Sequence, residues 1–527
     1  MMVGHDTRKL TVSDDLPYAS PWRRWLQPLK SVQENSSPPL NIAKLETEIE
    51  SAVSSTDAKF RKAILASLKI ALSSARQALA SEFELNNDGA VYVGRHAWIM
   101  DLLVSFIVAQ AGRRFGIDGK KHRMTVVAVG GYGRGELAPF SDIDILFVMS
   151  ETRAPEIEKT IEFSLYLLWD LGLKVGYATR TVRETIDTAK ADQTVLTGLL
   201  EMRKIAGHQQ LYGQLESALA AIVTKTKTSG FVEQKLTERD QRHARFGATR
   251  YVVEPNIKEG KGGLRDLHTL FWITKFAYRT NDVLDLVDQV ILRDSEARRF
   301  AAAQRFLWTV RCHLHLFASR AEERLDFEGQ MAIAPLMGFS DRGGLRAVER
   351  FMKRYYLAAR DVGNLTRIIC AAVEIDFRKR RSLWGGGGLL GQNVGQFSIR
   401  GGRVHLADDI LFRDEPVRML RIFQIAQDHD ADIHPHALKR ITRALPFMGV
   451  QTREDGEANK LFLSILTSRK NPERILRLMN ESGVLGKFLP DFGRIVAMMQ
   501  FDMYHSYTVD EHTIKAIGVL NQIESNK

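Results

Sequence analysis

Cysteine is nearly absent: the chain has two in 527 residues, Cys312 and Cys370. That excludes a disulfide framework and points to a reducing cytoplasm. Cys312 has His313 and His315 beside it, but no second Cys/His cluster stands at zinc spacing, so both cysteines are expected to lie inert on helices. Long apolar runs are also missing. The most apolar stretch, Ala97 to Gly112, is interrupted by Asp101 and falls short of the ~20 residues a membrane span needs. It reads as a buried helix, and no membrane partner is expected. The pair Arg23-Arg24 has no apolar core behind it before Lys30 and Glu34, so it is not an export signal. Nor is there a long Lys/Arg tract. The net charge of +11, from 74 basic and 63 acidic residues, favours anionic partners. It fits a mildly basic solvated surface equally well, and nucleic acid is not expected as a partner.

What is present divides into segments. The length implies two to four domains, in an ordinary globular composition of 44% hydrophobic and 26% charged residues. Residues 1–40 are polar and proline-rich, and read as a loose arm pinned by Trp22 and Trp25. Phe60, Ile64, Leu65, Leu68, Leu72 and Leu79 then mark a long amphipathic helix, and Ala97–Phe115 a second. A strand, a glycine-rich turn, a second strand, a helix beginning at Pro155 and a third strand over 172–181 follow. That order implies a small mixed sheet with helices on one side. Residues 190–380 read as mostly helical. Trp384 to Gly391 reads as a flexible loop, Phe397 to Leu406 as a hairpin, and 415–490 as helices bounded by prolines.

The chemistry concentrates in Val126-Val-Ala-Val-Gly130-Gly131-Tyr-Gly133-Arg134-Gly135-Glu136-Leu-Ala-Pro-Phe-Ser141-Asp142-Ile-Asp144-Ile-Leu-Phe-Val148. Four glycines within six residues cannot be a helix interior. They let backbone N–H groups close in on a ligand and seat phosphate oxygens. In the strand after Ser141, side chains alternate, so Asp142 and Asp144 point the same way. Adjacent carboxylates repel and raise each other's pKa. A hard divalent cation relieves this, and Mg²⁺ binds through one or two carboxylates plus substrate phosphates. The pattern suggests metal-dependent phosphoryl or nucleotidyl transfer. It is not a dinucleotide fingerprint, because Glu136 stands at the third-glycine position and a strand follows. It is not a Walker A loop either, since no Lys-Ser or Lys-Thr follows the glycines. A second glycine-rich stretch, Glu254-Pro-Asn-Ile-Lys-Glu-Gly-Lys-Gly-Gly-Leu-Arg-Asp-Leu-His268, places Lys258, Lys261 and Arg265 near a helix start, a candidate anion site.

The motif Gly-Gly-x-Gly-Arg-x-Glu-Leu-x-x-x-Ser-Asp-Ile-Asp resembles the signature of polymerase-β-like nucleotidyltransferases. Its particular form is similar to that of the bacterial PII uridylyltransferase/uridylyl-removing family. Residues 169–181, 254–268 and 504–513 resemble the same family. The resemblance implies an α+β fold with a polymerase-β-like domain over 41–190, a helical domain over 191–380, a linker loop and helical region over 381–495, and the opening of an HD phosphohydrolase domain over 496–527. It implies UTP as donor, a tyrosine of the PII signalling protein as acceptor, and Mg²⁺ held by Asp142 and Asp144. Gly130, Gly131 and Gly133 would contact the triphosphate, Arg134 would contact phosphate or brace the turn against Glu136, and Ser141 would seat a phosphate or cap the strand start, with Lys261 and Arg265 as further phosphate or substrate contacts. His512 would be the first metal ligand of an HD site whose His-Asp pair and later Asp do not occur in 514–527. The removing activity and the sensor domains are therefore expected to lie outside this chain. One departure stands out: the family's later strand commonly carries a third carboxylate, and residues 173–182 have none. Either Glu184, Asp187 or Asp192 reaches in, or two suffice. A nucleotidyltransferase acting on RNA or a small molecule, and a non-catalytic nucleotide- or PII-binding module, are the alternatives.

Overall fold

The computed structural model describes residues 28–50, 56–117, 122–150, 154–246, 249–280, 285–289, 291–382, 392–406, 412–501 and 506–525. Trp22, Trp25, the loop at 384–391 and most of the 504–513 motif's first residues lie outside these.

The motif strands build one side of a four-stranded sheet. Its members are β1 (Met124–Val129), β2 (Ile143–Met149), β3 (Val175–Thr181) and β4 (Arg203–Gly207), in the order β3-β2-β1-β4. β1 runs antiparallel to β2 and β4, and β2 runs parallel to β3. The fourth strand comes from beyond residue 190. Helices were expected on one side only, but both faces are covered. Val126, Ala128, Ile143, Ile145 and Phe147 pack into a core shared with Val93, Ala97 and Leu103. Val127, Leu146 and Val148 pack against Leu196, Leu199, Leu215 and Phe276. The reason is visible in β2, which beyond Asp144 is apolar at every position. Such a strand needs cover on both faces, each fully buried side chain contributing roughly 1.5–3 kcal/mol.

The helix expected at 97–115 spans Gly89–Arg114, because Asp88 caps its start by accepting from the Ala90 and Val91 N–H groups. It is long and apolar enough to cross a membrane, yet 78% of its most apolar window is buried. The long helix before it, Asp57–Asn86, buries Phe60, Ile64, Leu68, Leu72 and Leu79 and ends on a left-handed Asn87. The segment read as a loose arm is ordered from Pro28: the helix Pro28–Asn35 buries Leu29 and Val32.

Residues 209–382 are mainly helical. Residues from Phe397 to Phe488, with Ile514, form a second core, while Val496, Ala497 and Met499 belong to the first. Phe397–Arg400 and Arg403–Leu406 pair as the expected hairpin inside a second four-stranded sheet, and the helices Arg418–Asp428 and Pro435–Ala444 pack on it.

Candidate active site

The glycine turn is a one-turn helix, Gly130–Gly133, between β1 and the loop to β2. Its glycines do different things. Gly130 is left-handed (φ +61°), and a Cβ there would stand 3.2 Å from the Asp144 Oδ2. A Cβ on Gly133 would lie 2.2 Å from the Glu201 carbonyl oxygen, so that glycine serves close packing. A Cβ on Gly131 would come within 3.3 Å of the Glu136 carbonyl oxygen.

Asp142 and Asp144 are exposed while Ile143 and Ile145 between and after them are buried, as strand alternation requires. Asp144 pairs in register with Val129 on one side and Gly176 on the other. Its carboxylate is pushed above the usual range, first by burial and then by the charge on Asp142; Lys258 opposes the shift and Glu201 adds to it. Neither Asp142 nor Asp144 makes a hydrogen bond or ion pair among the described residues. Two acids side by side, without a hydrogen-bonded or ion-paired partner and given room by Gly130 and Gly176, suit a hard cation. Ser141 is half-buried, and its N–H donates to the Ala138 carbonyl (3.2 Å). Phe140 just before it is left-handed (φ 59°) and exposed.

Arg134 sits in a buried ionic network. Its Nε donates to Glu136 (2.8 Å), its Nη1 to Glu201, and its Nη2 lies 3.2 Å from His268 Nε2. Glu201 also accepts from the Trp272 indole, and Glu136 from Gln304 (2.9 Å). The two carboxylates hold the guanidinium charged although burial opposes it. Arg134 therefore braces the turn against two helices. Arg203 on β4 holds the same turn from below, donating to the Gly133 and Tyr132 carbonyls (3.3 and 3.1 Å). Asp101 grips that guanidinium with both oxygens (2.7 and 3.0 Å), which explains the acid in the middle of the apolar run.

None of the three acids considered as a third carboxylate joins the pair. Glu184 forms a capping box with Thr181, Asp187 pairs with Lys190 (2.9 Å), and Asp192 caps Thr194 (2.7 Å). The strand position opposite Asp144 is Gly176. Glu201, which sequence reasoning passed over, is the further acid whose charge reaches Asp144.

The second glycine-rich stretch splits. Lys258 is half-buried, its charge reaches Asp144, and its ammonium makes no hydrogen bond or ion pair among the described residues, with Glu323 and Glu259 the nearby acids that favour its charge. Burial and the nearby Arg311 lower its pKa. Lys261 instead reaches Glu481 (3.2 Å), and Arg265 contacts Glu259 (3.3 Å) and lies over Trp272. Of the cations read from this stretch, Lys258 is the one placed toward the acids.

Cys312 is buried, His313 bonds Asn87 (2.7 Å), and the His315 Nδ1 meets the Pro139 carbonyl in the loop before Ser141. His512 is exposed on the first turn of the helix Val509–Glu524. Its neighbours Asp510 and Glu511 are buried against Asn480 and Arg477. Among the described residues no group of three His, Cys, Asp or Glu is placed to hold a metal.

Comparison with known proteins gives a consistent pattern. A nucleotidyltransferase-domain family model matches residues 118–195. The GlnD PII-uridylyltransferase model matches 230–370, and the uridylyltransferase GlnD third-domain model matches 397–488. The bifunctional uridylyltransferase/uridylyl-removing enzyme of Azospirillum brasilense is 47% identical over 498 residues, covering 92% of this chain and 53% of that protein. Its counterpart in Rhodospirillum rubrum is 48% identical over 486 residues, covering 90% and 51%. The chain spans about half the length of the curated relatives it matches.

Proposed function

We propose, for a chain that is a relative of the bifunctional uridylyltransferase/uridylyl-removing enzymes and carries their nucleotidyltransferase domain, that it transfers UMP from UTP to a tyrosine hydroxyl of the PII signalling protein in the cytoplasm, releasing pyrophosphate. The observation that carries this reading is the exposed, unpaired Asp142–Asp144 couple beside the Gly130 turn.

Asp142 and Asp144 would hold Mg²⁺. When bound, the ion would supply charge neutralisation at the α-phosphate and help an acceptor oxygen lose its proton. The chain's own residues do the rest. Backbone N–H groups in the first turn from Gly130 have no intrahelical acceptor and can meet triphosphate oxygens. The Ser141 hydroxyl, without a partner among the described residues, can donate to another. Lys258 brings a cation whose charge reaches Asp144 and which would neutralise the departing pyrophosphate. Arg134, Arg203 and Glu201 keep the turn in shape, so the donors are positioned before the triphosphate arrives.

Incubation with PII and labelled UTP, ATP, CTP or GTP tests the reading. It predicts Mg²⁺-dependent label on PII from UTP alone; label on tRNA or on small molecules in place of PII would favour another acceptor.

A further inference from the structure

The segment 397–488 reaches the glycine-rich stretch through one side chain. Glu481, near the end of the helix Pro472–Ser482, accepts from Lys261 (3.2 Å). It also faces Arg250 (3.6 Å) and Arg367 (3.7 Å). Arg367 donates as well to the Glu481 backbone carbonyl (3.0 Å). Three cations around one acid keep Glu481 ionised far below the usual carboxylate range, although burial opposes this.

The loop that Lys261 belongs to is otherwise tightly wound. Asn256 Oδ1 accepts from the Lys258 and Glu259 N–H groups (3.1 and 2.6 Å), and Asp266 Oδ2 from the Gly262 N–H (2.8 Å). Gly262 is left-handed (φ +84°), and a Cβ there would lie 2.5 Å from the Ala359 carbonyl oxygen. Downstream, the helix Leu264–Tyr278 sets His268 against Arg134 and Glu136 of the nucleotide turn. Upstream, the Ile257 N–H donates to the Glu323 carbonyl (2.8 Å). Lys258 therefore lies between an anchor at Glu323, through Ile257, and one at Glu481, through Lys261, and the helix beyond the loop is set against the glycine turn.

We propose that Glu481 is a positioning residue for nucleotidyl transfer: by holding Lys261 it fixes the glycine-rich loop that presents Lys258 to the Asp142–Asp144 pair. This rests on the reading of that pair as the transfer site. It gives Lys261 a structural partner in place of a phosphate, and makes the third-domain region part of the transferase.

The test uses the whole chain with Lys261→Met, Glu481→Gln and the double variant. KM for UTP and kcat are measured in transfer to PII, and binding of Mg·UTP is measured by calorimetry. Because displacements of about 1 Å can cost on the order of a hundredfold, each single variant should weaken UTP use by between about tenfold and a hundredfold, mainly in KM. The double variant should be no worse than either single. Lys261→Arg should retain near-normal KM. Additive losses, or Lys261→Met within about twofold of wild type, would overturn the proposal. So would Glu481→Gln with unchanged or tighter UTP binding, since a Lys261 that touched phosphate directly would be released by that change. If Glu481→Gln does not fold, Lys261→Met decides alone, because Glu481 keeps Arg250 and Arg367. If wild type fails to modify PII while calorimetry shows equal, non-additive losses, the positioning role stands and the substrate reading falls.

Discussion

Asp144 and Gly176 stand directly opposite each other across the parallel pairing of β2 and β3, and a Cβ on Gly176 would come 2.4 Å from the Asp144 Oδ1. The glycine is there because the carboxylate occupies the space a side chain would take. Gly176→Ala should leave the sheet intact, since the atom it strikes is the end of a side chain that can turn away. The carboxylate would turn with it. Transfer should fall by about a hundredfold, with the melting temperature within a few degrees of wild type. Unchanged transfer in a folded Gly176→Ala protein would mean that the Asp144 orientation does not matter.

Lys258 offers a second check. Its ammonium is half-buried, makes no hydrogen bond or ion pair among the described residues, and its charge reaches Asp144. Lys258→Met should raise KM for UTP by roughly tenfold or more, the worth of a charge-assisted contact of about 1.5–3 kcal/mol. Burial opposes the Lys258 charge more than Glu323 and Glu259 favour it, so its removal should not lower stability. Calorimetry with Mg·UTP and a thermal melt separate the two effects.

Arg134 behaves in the opposite way. It is the buried partner of Glu136 and Glu201, so Arg134→Met leaves two acids uncompensated and should cost about 3–5 kcal/mol of stability. Arg134→Lys should not rescue it fully, because an ammonium cannot serve both carboxylates with the same fork. Urea midpoints give the cost; a stable Arg134→Met protein that had lost only UTP binding would assign the arginine to phosphate.

Acid should weaken the fold before it reaches the carboxylates. His96 and His313 are held at about 4, both mainly by burial, with Arg76 adding to the effect at His96. His268 is pushed well below its ordinary value by burial and then by the Arg134 charge. The unfolded chain binds protons on these imidazoles below pH ~6.5 while the folded chain refuses them. Stability therefore falls as pH drops through that window, by up to about 1.4 kcal/mol per histidine per pH unit. Urea midpoints at pH 7.5 and pH 5 should show the loss, and a flat profile would contradict the buried neutral assignment.

The strand–turn–strand motif and the common face of Asp142 and Asp144 were legible because alternation and glycine clustering are local signals. The start of the apolar helix was missed because its cap, Asp88, lies before the apolar run. The cover on both sheet faces could have been read from β2, whose residues beyond Asp144 are all apolar. Glu201 and Glu481 could not be found, since what makes them matter is contact with residues far along the chain: Arg134 and Trp272 for one, Arg250, Lys261 and Arg367 for the other. Lys258, Lys261 and Arg265 were indistinguishable in sequence; folding gives two of them acidic partners and leaves Lys258 toward Asp144.

The central claim is that Asp142 and Asp144 together hold the ion that makes UMP transfer possible. Its most direct test is the intact mass of PII after incubation with UTP, Mg²⁺ and either wild type, Asp142→Asn or Asp144→Asn, with folding checked by thermal melts. Losing several kcal/mol of transition-state stabilisation, the variants should be slower by about a thousandfold or more, so that only wild type adds UMP. Near-normal modification of PII by either folded variant would contradict the account.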